Sequence, residues 1–242
     1  MRDTPCVPIA EAGASVVDDV VSAELLDSLQ RLLSSVVDTQ IGKWRREGMI
    51  ATDYGDLPFS CRYLIAWRAA GRPRVGTRRE QKWFIAMVRR VLLRFPEVSA
   101  VAAELLGAQV GQPLPSTRFR AKFPGDDRTT IPWHQDAQCL ERVAGTRTIT
   151  MWVPLVDVTP LNSCLEVSTY DHNRMVLPLE YSQTTGYVVM AREVAREVEK
   201  RAMAVPLSRG QMLCMDAFTP HRSTPNLGES IRWSIDLRFA PT

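Results

Sequence analysis

The chain has 242 residues, 45% of them hydrophobic and 24% charged, a balance that allows a buried core and excludes a disordered or low-complexity protein. Its 30 basic and 27 acidic residues leave a formal charge of +3, with the arginines scattered rather than gathered into a stripe, so nucleic acid is not indicated as a partner. No apolar run approaches the roughly 18 residues that spanning a bilayer requires, and five widely spaced cysteines without a CxxC pair suggest free thiols, which together point to a cytoplasmic protein.

Residues 13–21 (GASVVDDVV) read as a short strand, and Ser22 follows as an N-cap with Glu24 and Asp27 in the first turns. Leu25, Leu26, Leu29, Leu32, Leu33 and Val36 then recur at helical spacing over 23–38, one apolar stripe for docking on a flat surface. Residues 45–77 hold Gly48, Gly55, Pro58, Gly71, Pro73 and Gly76 among mixed aromatics and read as irregular, substrate-facing loops. Helical periodicity returns at 79–93 and 98–106, with Pro96 between them and Gly107 as the stop. After Gly111 the period changes to two, in runs at 116–123, 147–155, 163–168, 203–207, 211–215 and 231–239, with a helix-forming excursion or lid at 188–201. One unit is expected at this length: residues 1–111 as helical support and loops, 112–242 as a mainly β core closed as a barrel or two-sheet jelly roll.

The stretch WHQD places His134 and Asp136 two apart in an extended segment, where alternating side chains make both point the same way. Two imidazoles and a carboxylate on one face of an ion suit iron(II) and leave positions for a chelating cosubstrate and dioxygen. Of the remaining histidines, His221 in CMDAFTPHRSTPN lies just after an apolar strand and is the expected third ligand. His172 is expected to be a turn histidine hydrogen-bonded to backbone. An HxD pair alone is a weak signal. It gains from Arg232 on the following strand, because the planar guanidinium pairs bidentately with a carboxylate. Arg232, Ser234, Asp236 and Arg238 share one strand face; Arg118, Arg120 and Lys122 share another, as do Thr148, Thr150 and Trp152. These faces read either as three walls of a wet cavity or as the solvent side of a half-buried antiparallel sheet. The expected access route is lined by 45–77, 137–145 and 181–201, with Arg62, Tyr63, Trp67 and Arg68 as candidate contacts for a polar substrate, ordinary packing being the alternative.

The motifs FRAKFPG, WHQD, TMWVPLVDVTPLNSCLEV and HRSTPN, with Arg232 beyond the last, resemble those of the phytanoyl-CoA dioxygenase family of iron and 2-oxoglutarate oxygenases over about residues 116–239. The resemblance implies a double-stranded β-helix with helices packed outside, and iron(II) held by His134, Asp136 and His221. It implies that Arg232 and Ser223 bind the distal carboxylate of 2-oxoglutarate and that Trp152 and Arg120 complete the cosubstrate pocket. The chemistry implied is oxidative decarboxylation of 2-oxoglutarate by dioxygen coupled to hydrogen removal from a small molecule, which is hydroxylated or oxidatively cyclised. Related halogenases have a small residue where Asp136 stands, which argues against halogenation. The short chain and its Ala-, Val- and Arg-rich usage are similar to tailoring oxygenases of bacterial antibiotic pathways, including orthoester-forming enzymes acting on sugar-containing substrates. There are two departures: Ser163 stands where glycine is usual, and STYDHN replaces a Pro-Gly-Ser-His turn. A non-catalytic cupin-like protein binding a metal or small ligand is the alternative, and it leaves Arg232 without a purpose. A metal-bound hydrolase would need Glu166 or His172 as its acid/base group.

Overall fold

The computed structural model describes residues 13–75, 78–114, 116–139, 147–182 and 187–242. Helix α1 (Ala23–Arg46) begins as expected, with the Ser22 side chain accepting the Leu25 N–H at 3.2 Å. It runs about two turns past the expected end at 38, because Gln40, Ile41 and Trp44 continue the buried stripe. Lys43, Arg45 and Arg46 in its last turn face the negative end of the helix dipole.

Helix α2 (Phe59–Ala69) occupies a segment expected to be loop. Pro58 ends the chain before it and Gly71 and Pro73 follow it, so the breakers flank the helix instead of interrupting it. Tyr63 and Trp67 are 3% and 1% exposed. Tyr63 stacks between Trp44 and Trp233, with ring centroids 5.6 and 5.7 Å away, and Trp67 stacks on Phe123 at 4.2 Å. Arg62 pairs with Asp38 at 2.5 Å, and Arg68 points to solvent. The packing alternative thus accounts for the aromatic pair, which fastens α2 to α1 and to the sheet beneath. Helices α3 (Arg78–Leu92) and α4 (Pro96–Leu106) agree with the reading, α4 opening on a proline and closing at Gly107 with φ 60°, a left-handed turn that glycine adopts without penalty.

The strands are β1 (Ala14–Val17), β2 (Arg118–Lys122), β3 (Ile149–Pro154), β4 (Leu165–Ser168), β5 (Leu179–Ser182), β6 (Tyr187–Met190), β7 (Ala202–Val205), β8 (Met212–Asp216), β9 (His221–Ser223) and β10 (Arg232–Phe239). They form a five-stranded antiparallel sheet in the order β1-β8-β3-β10-β2, a three-stranded one in the order β7-β4-β9, and the hairpin β5-β6. The expected excursion at 188–201 is mostly helical, as α5 (Arg192–Glu199), while its first three residues, 188–190, belong to β6. Of the expected access segments, residues 76–77, 140–145 and 183–186 lie outside the described residues.

Both faces of the large sheet are covered. Phe119, Met151, Val153, Trp233, Ile235, Leu237 and Phe239 point outward into one cluster with the leucines of α1 and the aromatics of α2. On the inner face Trp152, Leu213 and Met215 meet Leu165, Val167 and Leu207 from the side of the small sheet, closing a two-sheet jelly roll. Antiparallel partners share a face, and the register sets Arg232 opposite Lys122, Ser234 opposite Arg120, and Arg238 opposite Thr150 on that same inner side. Arg232, Ser234, Asp236 and Arg238 are each at most 8% exposed. The alternation of β10 therefore marks a cavity wall and not a solvent face.

Candidate metal centre

His134 and His221 form an isolated antiparallel bridge, exchanging backbone hydrogen bonds of 3.0 and 2.9 Å, and their rings stand side by side with centroids 4.1 Å apart. Each ring places Nδ1 against the carbonyl two residues back, His134 on Pro132 at 2.9 Å and His221 on Thr219 at 3.0 Å. A carbonyl oxygen only accepts, so Nδ1 carries the proton in both rings and Nε2 keeps a free lone pair. Burial and the neighbouring His221 push the His134 imidazole down to about 3, so it stays neutral over the ordinary pH range.

Asp136 departs from the extended path expected for it, since it opens a 3-10 turn (Asp136–Cys139) held by the Ala137 N–H to the Ala217 carbonyl at 2.8 Å. The turn still brings the carboxylate to the histidines: one candidate ligand atom from each of His134, Asp136 and His221 lies within 4.8 Å of the others. Arg238 donates to both Asp136 oxygens, at 2.8 and 3.0 Å, and Thr150 Oγ1 donates to one of them at 2.5 Å. Burial works against the charge, but Arg238 and the two imidazoles hold this carboxyl far below the usual carboxylate range. Arg238 and Thr150 are cross-strand partners, so the register of β3 and β10 aims the carboxylate. His172 stands apart, its Nδ1 accepting the Arg174 N–H at 3.0 Å in a turn while its ring stacks on Phe218, as expected of a turn histidine.

His134 and His221 line a cavity of about 50 Å³ whose other walls carry Lys122 and Arg232. Lys122, 1% exposed, donates to Ser223 Oγ at 2.9 Å, and the same hydroxyl accepts the Ile131 N–H. Arg232, 3% exposed, lies 5.4 Å over the Trp152 ring and donates to Ser234 Oγ at 2.5 Å. Its Nε is buried without a hydrogen-bond partner, and neither cation has an ion pair among the described residues. Burial pushes Arg232 down to about 10, and burial followed by Arg232 pushes the Lys122 ammonium down to about 7. Two buried like charges, each hydrogen-bonded to a serine hydroxyl and with a guanidinium N–H left over, suit a carboxylate guest. Arg232, Ser223 and Trp152 thus meet where they were expected together, while Arg120 lines the same cavity but is half-exposed and paired with Asp236 at 3.0 Å. Lys122 and Arg238 were legible only as members of polar strand faces. Their signal was position, two residues from Arg120 and six from Arg232.

The phytanoyl-CoA dioxygenase (PhyH) family matches residues 9–234. Among curated proteins none matches. Solved structures of similar fold include EvdO2 from Micromonospora carbonacea var. aurantiaca complexed with 2-oxoglutarate (19% identity, 97% of this chain and 88% of that one, TM-score 0.63). AviO1 from Streptomyces viridochromogenes Tue57 is similar too (23%, 96% and 91%, TM-score 0.57). So is the non-heme alpha-ketoglutarate-dependent carbocyclase SnoK from nogalamycin biosynthesis (17%, 96% and 81%, TM-score 0.56). With the family match spanning nearly the whole chain, and a His-Asp-His cluster beside buried cations, the chain belongs to the phytanoyl-CoA dioxygenase family and is a 2-oxoglutarate-dependent iron oxygenase.

Proposed function

We propose that the chain acts as one unit that hydroxylates or oxidatively cyclises a small polar natural product in bacterial antibiotic biosynthesis, a sugar-containing substrate and orthoester formation being the narrowest form of that reading. The resemblance to SnoK, a carbocyclase of nogalamycin biosynthesis, supports the cyclising branch. His134 Nε2, His221 Nε2 and one oxygen of Asp136 are the iron ligands in this reading. The distal carboxylate of 2-oxoglutarate is received by Arg232, Lys122 and Ser223, with Trp152 as the flat wall behind it. When bound, ferrous iron would let dioxygen, reduced at the expense of 2-oxoglutarate with succinate and carbon dioxide as coproducts, serve as the oxidant that removes a hydrogen atom from the substrate.

The protein's own part is orientation. The two backbone carbonyls fix the imidazole tautomers, Arg238 and Thr150 keep Asp136 ionised and turned toward the histidines, and the aliphatic and aromatic walls from Leu165, Met215 and Trp152 keep bulk water from the deep end. The observation that carries the reading is the buried Lys122–Arg232 pair, in no ion pair among the described residues, in one cavity with His134 and His221. Anaerobic titration of the iron(II) protein with 2-oxoglutarate tests it: a weak visible metal-to-ligand charge-transfer band is expected, and intact protein without the band sinks the proposal.

A further inference from the structure

The mouth of the cavity is defined by which of its lining side chains reach solvent. Arg120, Thr129, Ile131 and His134 are half-exposed, whereas Lys122, Trp152, Ser223 and Arg232 are buried. Arg120 is therefore the cation at the mouth, with 40% of its side chain exposed. It is held by one contact, Nε to Asp236 Oδ2 at 3.0 Å, and its two terminal amino groups have no partner among the described residues. Those amino groups form the fork that matches a planar carboxylate.

The charge distribution around the loaded cavity bears on the same residue. Iron(II) with Asp136 and the chelating carboxylate of the cosubstrate forms a neutral set, and Arg232 answers the distal carboxylate. Asp236 lies within reach of both Arg120 and Arg238, the latter at 3.9 Å, so it neutralises only one of them. Of the two guanidiniums that share Asp236, Arg120 is the one that reaches solvent at the mouth.

We propose that Arg120 anchors the substrate, and that the substrates of this oxygenase carry a carboxylate group. The proposal rests on the oxygenase reading, and it moves Arg120 from the cosubstrate pocket, where the family resemblance would put it, to substrate selection. On arrival the carboxylate takes the open edge of the fork while Asp236 keeps Nε, so the guanidinium is shared by two carboxylates and the reacting carbon is held at a fixed reach from the triad.

The test uses anaerobic protein loaded with iron(II) and saturating 2-oxoglutarate, titrated with N-acetylglycine and with its uncharged counterpart N-acetylglycinamide. Binding is read from perturbation of the charge-transfer band and from the melting temperature. The acid is expected to bind at least tenfold tighter than the amide. The preference should disappear in Arg120→Gln and survive in part in Arg120→Lys, while the 2-oxoglutarate Kd of Arg120→Gln stays within twofold of the parent. Equal response to acid and amide, including no response to either, overturns the proposal. So does a tenfold loss of 2-oxoglutarate affinity in Arg120→Gln, which would return Arg120 to the cosubstrate. A parent protein that shows no band on addition of 2-oxoglutarate would instead overturn the oxygenase reading, so the two failures are distinguishable.

Discussion

The two faces of the large sheet are both buried, yet they are buried by opposite means. The outer face, with Trp233, Ile235, Leu237 and Phe239, is covered by helices and held by apolar contact. The inner face alternates with it residue by residue and carries Arg232, Ser234, Asp236 and Arg238, held by hydrogen bonds and ion pairs that leave a positive surplus. One strand thus holds the fold with its odd positions and the chemistry with its even ones. The inner face gives up stability for a ligand that the outer face has no part in.

The largest effect expected on this contrast is at Asp136. Asp136→Ala removes a ligand and the bidentate partner of Arg238, so both the charge-transfer band and succinate formation should vanish. His172→Ala should largely spare both. The band surviving in the first variant, or lost in the second, would mean the triad is wrongly composed. Next is the outer face: Trp233→Ala should cost about 3–5 kcal/mol of stability by denaturant titration, while the fraction that remains folded binds 2-oxoglutarate as before. Coupled loss of affinity in that folded fraction would show that the two faces are not independent.

The sharpest reversal is expected from Lys122→Met, which replaces a buried charge by an apolar chain of similar length. The cofactor-free protein should gain about 1 kcal/mol or more, while the 2-oxoglutarate Kd rises about 30-fold or more, the effect of removing one partner of a buried charge pair. pH probes the same ammonium. Its pKa is about 7 in the folded chain against an ordinary 10.5, so above pH 7 the cosubstrate dianion must bring a proton with it. Its affinity should fall toward tenfold per pH unit above about pH 7, and the slope should be absent in Lys122→Met. For the cofactor-free protein the sign is opposite: between about 7 and 10.5 the unfolded chain holds a proton that the folded one has lost, so stability from this group rises with pH. A pH-independent Kd in the parent would place Lys122 away from the cosubstrate.

The smallest effect is expected at Ser163, which has φ 71° and is fully buried. Its hydroxyl donates to the Thr224 carbonyl at 2.5 Å. Ser163→Gly relieves about 1 kcal/mol of left-handed strain and loses a hydrogen bond worth about the same, so the melting temperature should move little in either direction. A large fall would assign the hydroxyl more than an offsetting role, and would explain why this chain departs from the glycine usual at the position.

Much of this was legible because local chemistry and fold agree. Ser22 sits before a leucine stripe, Gly107 sits where a helix must stop, and period two sets in after Gly111. What was not legible depended on contacts distant in sequence. Helix α2 hid among glycines and prolines because its helical character comes from Tyr63 and Trp67 packing on Trp44, Phe123 and Trp233, not from its own periodicity. The hairpin of β5 and β6 is four residues a side, too short for alternation to show. Which way Lys122 points is decided by pairing with Arg232, more than a hundred residues later, and a period of two gives the same pattern whether the polar side meets water or a guest.

The reciprocal backbone bridge between His134 and His221 has a further consequence. Both imidazoles are placed by sheet hydrogen bonds and by their own main-chain carbonyls, so the ligand geometry exists before any metal arrives. In small zinc domains the ion is the keystone, and chelation collapses the fold. Here the ion is a tenant: iron should be stripped by a chelator and restored, or exchanged for another divalent ion, while the chain keeps its tertiary structure throughout.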